Sequence, residues 1–412
     1  MTVERRSAAL TLGFITMLHG MNHTYSIFLS PLNEQMRQFF GENSISAITS
    51  FKTTYLVIYA MSNLVFGIFA NRMSTRWALS LGAFLNAFAV LAYTLIGPHG
   101  IAYMHILWAI GGIGGGTYHP LANLLVTRLY TTRKGWALGI TGMGASMGFT
   151  FGPLTTWFLS GTLHFHWQQI ATVFGLLGLV TGLAVLLMVG KVPDYNPSAS
   201  QPAAATTGPK APVSYGSALA IFVGFVILAV GMREICYWSI LDVSDFYLNK
   251  AYGGMLSTAF YLTLLSVPGI LIQPMAGAIS DRVGRNRMAA TALALHGFSV
   301  ALIVLSPHST LFLAYILLGI GQAASVPTIE ALIADFTTPK NRGLVFGVLV
   351  TSGLGLGALG PLLSGLLIDS LGGTLAAYQT CLYMLSGLTG VAAVLMAFSG
   401  KVARGLGLTR EA

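Results

Sequence analysis

Few residues of this chain can do chemistry, because only 8% are charged, and those few fall in patterns. His19, Asn22, His23 and Ser26 follow i, i+3, i+4, i+7 spacing and so form one polar stripe of a helix. Lys52, Tyr55, Tyr59 and Asn63 make a second stripe, and His105, Trp108, Gly112 and His119 lie roughly on one face of a third. Further along stand Arg233, Glu234 and Tyr237, then Tyr261 and Gln273, then Gln322 and Glu330. Histidine titrates near neutral pH, so His19, His23 and His119, together with Glu234, are the groups able to exchange a proton in a working cycle. Glu330 can carry a proton or serve a latch, and His119, just before Pro120, can serve the proton or cap a carbonyl at a bend. Lys52 and Arg233 favour an anionic or zwitterionic solute over a cation, although Lys52 can also snorkel to an interface. Adjacent helical residues point about 100° apart. Arg233 and Glu234 are therefore not expected to neutralise each other; one should line a cavity while the other pairs across helices.

Catalysis is not expected. The chain has no H-E-x-x-H, no G-x-S-x-G and no Cys–His cluster. Cys236 and Cys381 both lie in apolar stretches, so neither a disulfide framework nor a metal site is indicated. Gly355, Gly357 and Gly360 have the G-x-G-x-x-G spacing, but within an apolar run with no strand before it, where small residues serve helix packing rather than a nucleotide.

The elements that must position these residues follow from composition. With 54% hydrophobic residues and 49 glycines, the chain is far more apolar than a soluble domain. A bilayer-crossing helix needs about 20 apolar residues, and twelve such runs occur, near 8–30, 46–70, 77–97, 101–127, 135–161, 168–190, 215–244, 252–276, 288–306, 309–335, 343–369 and 376–399. They are too long and too uniformly apolar for barrel strands, so the fold class is an all-α polytopic membrane protein. The first run is longer than a signal-peptide core and lacks a small-x-small cleavage site, so it is expected to stay as a membrane helix. With both termini on the cytoplasmic side, 17 of the 21 Lys and Arg fall on that side, only Arg37, Lys52, Arg233 and Lys250 lying elsewhere. That bias is the positive-inside pattern, and it accounts for the net charge of +9 without nucleic acid.

The longest polar interruption, 191–214, is rich in Pro, Ala, Ser and Thr and reads as a cytoplasmic linker between halves at 1–190 and 215–412. The halves repeat. Gly67-x-x-x-Asn71-Arg72 recurs as Gly277-x-x-x-Asp281-Arg282, and Lys134-Gly135-x-x-x-Gly139 with Gly152-Pro153 recurs as Arg342-Gly343-x-x-x-Gly347 with Gly360-Pro361, at offsets of about 210 residues.

Duplicated six-helix halves, with G-x-x-x-D-R-x-G-R-x-R between the second and third helices of a half, resemble the major facilitator superfamily over the whole chain. The charged turns, Asn71, Arg72 and Arg76 in the first half and Asp281, Arg282 and Arg285 in the second, are expected to act as a gate. Asp281 can sit at a helix N-terminus while the arginines meet acids such as Glu330 and Asp335 or lipid head groups, latching the halves on the cytoplasmic side. A plain positive-inside anchor is the simpler reading. The first-half copy, with Asn71 for the acid and Ser74 for the glycine, should latch more weakly. HGMNH in the first helix, GGGTYHPLAN in the fourth and an Arg in the seventh are similar to the fosmidomycin-resistance-type branch, whose pattern prefers Asp where His23 stands.

The resemblance implies twelve helices in a major facilitator fold acting as a monomer, with the stripes converging on a central cavity in which His19, Asn22, His23, Lys52, Tyr55, Tyr59, His119, Arg233, Tyr237, Tyr261 and Gln322 meet a solute. It implies a secondary transporter that moves a small anionic or amphiphilic organic solute across a bacterial inner membrane by alternating access, without cofactors, on the proton gradient. Gly139, Gly148 and Gly152-Pro153 match part of the antiporter motif, whose closing glycines are Thr156-Trp157 here, which leans toward proton-coupled export. The alternatives are a proton symporter taking up a small carboxylate and a non-transporting membrane sensor or enzyme.

Overall fold

The computed structural model describes residues 3–130, 134–189, 213–254, 257–337 and 342–408. Among them are sixteen α-helices. The first half holds α1 (Val3–Ile27), the short α2 (Asn33–Phe39), α3 (Ile45–Phe69), α4 (Thr75–Ala92), α5 (Ile101–Gly116), α6 (Tyr118–Leu129), α7 (Lys134–Gly161) and α8 (Trp167–Met188). The second holds α9 (Val213–Tyr252), α10 (Thr258–Ser266), α11 (Pro268–Val283), α12 (Arg285–Leu305), α13 (Leu311–Ala334), α14 (Arg342–Gly357), α15 (Leu359–Ser370) and α16 (Leu375–Gly405). Apart from α2, which is short, and with α5/α6, α10/α11 and α14/α15 each taken as one interrupted run, these are the twelve spans expected, six to a half. All but 213 and 214 of the expected linker lies outside the described residues, and those two open α9.

Each interruption has a proline just beyond it: Pro120 three residues after Thr117, Pro268 directly after Val267, and Pro361 three residues after Ala358. Without an N–H, proline leaves the carbonyl four residues back without its helical donor, and the helix bends there. In the α10/α11 run the largest bend, 58°, lies further on, within α11, between Thr258–Gln273 and Met275–Val283. Among the described residues eight helical stretches, α14/α15 counting as one, are long and apolar enough to cross a bilayer, and a ninth if that bent pair is one span. The other three runs are α1, α5/α6 and α7, whose polar residues and glycines lower their hydropathy and prove to carry the site.

The seventh run is longer than its hydropathy indicates. Asp242, Ser244 and Asp245 read as its end, yet α9 continues to Tyr252, because these side chains are buried against neighbouring helices rather than released to water.

We call the side where α1 starts and α16 ends the near face, and the opposite side the far face. Toward the far face one buried apolar cluster joins both halves, from Tyr25, Phe28 and Phe51 to Tyr237, Trp238, Phe246 and Tyr378. Toward the near face the buried apolar residues separate. Leu12, Ile15, Leu79, Tyr118 and Leu125 belong to a first-half cluster, and Phe222, Val226, Leu332, Phe336 and Met396 to a second-half one. The apolar core is therefore fused at one end and divided at the other.

Candidate solute and gate site

The first-half site is built on α1, α3, α6 and α7. Glycines bring these helices together: a Cβ on Gly144 or Gly148 would strike the carbonyl of Thr16 or Gly20, so α1 and α7 touch backbone to backbone. A Cβ on Gly116 would come within 2.8 Å of the Tyr59 carbonyl and 2.9 Å of the Asn63 nitrogen, which sets α5 equally close to α3. Small residues permit such approach where lipid supplies no hydrophobic drive between helices.

Within this frame three imidazoles meet. His19 Nδ1 lies 2.6 Å from the Thr141 carbonyl, which can only accept, so that nitrogen carries the hydrogen. His19 Nε2 is then the acceptor for His23 Nε2, 3.1 Å away. With both rings neutral, Thr141 O, His19 and His23 form a directed hydrogen-bond chain, in which a proton added to His19 would set two N–H donors against each other. His119 stands edge-on to His19 at 5.1 Å between centroids. Tyr118 stacks on the other side at 4.3 Å and 18°, its hydroxyl donating to the Ile15 carbonyl. Asn22 donates to the Tyr59 hydroxyl at 3.0 Å.

The second-half site is centred on Arg233, whose side chain is 5% exposed. Its Nη1 donates to Ser325 Oγ at 3.0 Å, while Nη2 pairs with Glu234 Oε1. The pairing corrects the expectation that these neighbours point too far apart to meet. The long arginine stem lets the guanidinium curl round the helix, so the 100° between the two Cβ directions does not separate the charges. Arg233 Nε has no hydrogen-bond partner among the described residues, and the fully buried His296 stands beside the Gln322 side chain.

One aromatic residue links the two sites. Phe149 of α7 lies 4.5 Å from the His23 ring and 6.1 Å from both Tyr237 and Trp238 of α9.

The expected site residues therefore separate. His19, Asn22, His23, Tyr59 and His119 come together, and Tyr55 joins their edge, 5.8 Å from both Tyr59 and Trp108. Arg233 and Glu234 form a second group with Ser325, Tyr237 faces Phe149, and Glu330 is largely buried further along α13 toward the near face. Tyr261 packs on Tyr315 at 5.1 Å in the far-face core. Lys52 belongs to neither group. It is 2% exposed, pairs with Asp242 at 3.2 Å, and donates to Ser30 Oγ and to the Ser26 carbonyl.

Asp242 opens a set of far-face contacts between the halves. Asn33 Nδ2 donates to the Asp242 carbonyl, and the backbone N–H of Glu34 to Asp245 Oδ2 at 2.7 Å. Asp369 of α15 accepts from Ser44 Oγ at 2.7 Å and from the backbone N–H groups of Ile45 and Ser46 at 2.8 and 2.9 Å, capping the N-terminus of α3 from the opposite half. Thr53 Oγ1 donates to the Ala358 carbonyl and accepts from Leu362 N–H, so a hydroxyl of the first half bridges a rung beside the α14/α15 break. In the connection before α3, partial burial pushes the Glu34 carboxyl up, but hydrogen bonds from Arg37 and Gln38 outweigh it and hold the group below its ordinary value.

Asp242, Asp245, Asp369 and His296 were missed in the sequence. The available signal was weak: two acids three apart at the end of one apolar run, one acid ending another, and a single histidine in LALHGFS.

At the near face, Arg285 bonds Asp281 and Asp335, each at 3.1 Å, tying α11, α12 and the end of α13 within the second half. Gly284 of that turn has φ +95°, which explains the glycine in the motif. The first-half turn is made differently, with a 3-10 turn at Ala70–Arg72 and Ser74 at φ −68°. Arg72 is exposed and Arg76 lies over the Trp77 ring; the Asn71 side chain falls outside the described residues.

A sequence model of the Major Facilitator Superfamily matches residues 12–253 and 219–406. The chain is 26% identical over 286 residues to "Multidrug resistance protein MdtG" of Proteus mirabilis (strain HI4320), covering 68% of this chain and 69% of that protein. To the protein of the same name from Klebsiella pneumoniae (strain 342) it is 27% identical over 260 residues, 58% of each. Among solved structures, a bacterial homolog of the human lysosomal transporter Spinster, inward-facing and occupied, superposes with a TM-score of 0.80 at 15% identity over 100% of this chain and 99% of that one. The peptide transporter POT in complex with sulfate gives 0.76 at 17% identity over 100% of both.

Proposed function

The chain belongs to the major facilitator superfamily, and from that premise we propose that this integral membrane transporter exports a small amphiphilic organic solute from a bacterial cytoplasm in exchange for protons. It is not an enzyme. The observation that carries the reading is Phe149, an aromatic side chain in contact with the histidine chain of one half and with Tyr237 and Trp238 of the other. A solute held there meets apolar faces, neutral imidazole donors and acceptors, and one ion pair. Relatives named as multidrug resistance proteins support efflux. In this reading the near face is the cytoplasmic one, supported by the arginine and lysine bias, and the fused core and sealed ion pair at the far face support a carrier that receives solute from inside.

Proton exchange is placed on Glu234. Paired with Arg233 the site is neutral. A proton on Glu234 leaves the arginine charge uncompensated beside the solute, so proton and amphiphile take turns, which is antiport. Glu330 and the near-face turn around Asp281, Arg282 and Arg285 serve the conformational change, with Arg72, Arg76 and Asn71 as their first-half counterparts.

A second reading keeps one observation on its side. An anionic solute would compete with Glu234 for Arg233, and the displaced Glu234 would then take up a proton together with the solute, which is uptake by symport of a small carboxylate.

Proteoliposomes with an internal pH dye and an imposed gradient separate the two. The proposal expects amphiphilic cations or neutral compounds to move against the proton flow, and Glu234→Gln to lose gradient-driven movement while keeping exchange at equal pH. A carboxylate that moves with the protons transfers the case to the second reading; solute movement with no proton flux ends both coupling schemes.

A further inference from the structure

The three imidazoles have a second property that needs neither the solute nor the direction named above. His19 and His23 stand one turn apart on α1, and His119 comes from α6. One ring nitrogen from each lies within 4.8 Å of the other two, and the two Nε2 atoms on α1 are 3.1 Å apart. Around a tetrahedral ion with metal–nitrogen bonds of about 2.0–2.1 Å, ligand nitrogens stand roughly 3.3–3.4 Å apart. Two of the three are close to that spacing as they stand, and the third, within 4.8 Å of both, has to move inward to reach it.

The surroundings are those of a ligand set as well. His19 gives its other N–H to the Thr141 carbonyl, the outer bond that fixes the tautomer and raises the basicity of a metal-bound imidazole. Tyr118 stacked on His19 and Phe149 packed on His23 hold two of the rings from the sides. A hydrogen-bond chain alone accounts for His19 and His23, but it has no use for a third ring turned edge-on to the first. All three donors are imidazoles, which suits zinc, nickel, cobalt or copper rather than magnesium or calcium. His23 and His119 keep partial exposure, so an ion can reach them.

We propose that His19, His23 and His119 bind one divalent transition ion of the zinc class, with three protein ligands and a fourth position for an outside donor. That donor is either water on the free ion or an oxygen or nitrogen of a chelating organic molecule; the shared chemistry is a borderline metal ion on three imidazoles.

The test uses the purified full-length chain in detergent, titrated with cobalt chloride, then zinc chloride, with and without citrate as chelator. One cobalt per chain with the intense visible bands of tetrahedral coordination, displaced by zinc, is the expected result. His23→Gln and His119→Gln should each weaken binding at least about tenfold while the melting temperature stays near wild type; these changes keep a polar amide in place of the ring. Bands that need citrate identify the chelate as the ligand, and bands without it the free ion. Where a variant fails to fold, the wild-type spectrum decides. Absence of tetrahedral bands in both arms, or binding unchanged in both glutamine variants because other histidines supply it, overturns the proposal.

Discussion

Lys52 of α3 and Asp242 of α9 meet at 3.2 Å with 2% and 3% of their side chains exposed, so the far face is closed by an ion pair drawn from opposite halves. Coulomb attraction there works against the desolvation of both ions, and breaking a buried pair by removing one partner costs about 3–5 kcal/mol because the other charge is stranded. Lys52→Met alone should therefore lower the melting temperature more than Lys52→Met combined with Asp242→Asn. Equal losses in the single and double variants would mean that the pair adds nothing beyond packing.

The Asp369 cap should bias the conformational equilibrium. Its removal leaves two N–H groups of α3 without their acceptor, worth about 1–2 kcal/mol, which is a shift of roughly five- to thirtyfold. In a chain with Cys236 and Cys381 replaced by alanine, a cysteine at the fully buried Thr49 reports opening. Asp369→Ala is expected to speed its labelling by a membrane-impermeant maleimide added from the far face by that factor. An unchanged rate counts against the cap as a closing element.

Glycines of α7 should divide by position. Gly148→Ala places a methyl group on the Gly20 carbonyl, and with backbone on both sides neither helix can yield without separating. Overpacking of this kind costs about 1–3 kcal/mol. Gly139 has open space where its Cβ would go, so Gly139→Ala should be neutral or stabilising by about 0.5–1 kcal/mol through helix propensity. Thermal unfolding of the two variants side by side checks the contrast; matching losses refute the close approach.

Glu34 carries a pH prediction whose sign follows from its lowered value. A carboxyl depressed by folding contributes stability above its unfolded value, and that contribution disappears as pH falls through the folded one. Wild type should exceed Glu34→Gln in melting temperature near neutral pH, and the gap should close in acid, below the ordinary carboxylate value of about 4.3. A gap independent of pH would assign the effect to shape rather than charge.

The architecture was legible because twelve long apolar runs and a repeated motif are properties of composition and spacing alone. The stripe on α1 was legible too, since His19, Asn22 and His23 share a face by helical geometry. What spacing cannot carry is partnership between distant elements. His119 is a hundred residues from His19, and Lys52 looks like an interfacial lysine until α9 places Asp242 beside it. The Arg233–Glu234 pair escapes spacing for a different reason: the Cβ direction does not fix the position of a charge at the end of a long flexible side chain.

The apolar core, fused toward the far face and divided toward the near one, makes the conformational cycle an exchange of buried surface. Whatever area the far-face seam exposes on opening has to be matched by area newly covered where Leu125 and Val226 now belong to separate clusters. Surfaces of similar extent would leave the carrier close to balance, so that one bound solute would be enough to tip it. An amphiphile lodged between the near-face clusters without reaching Phe149 would hold the halves apart there, and so act as an inhibitor from the near-face leaflet while never being carried.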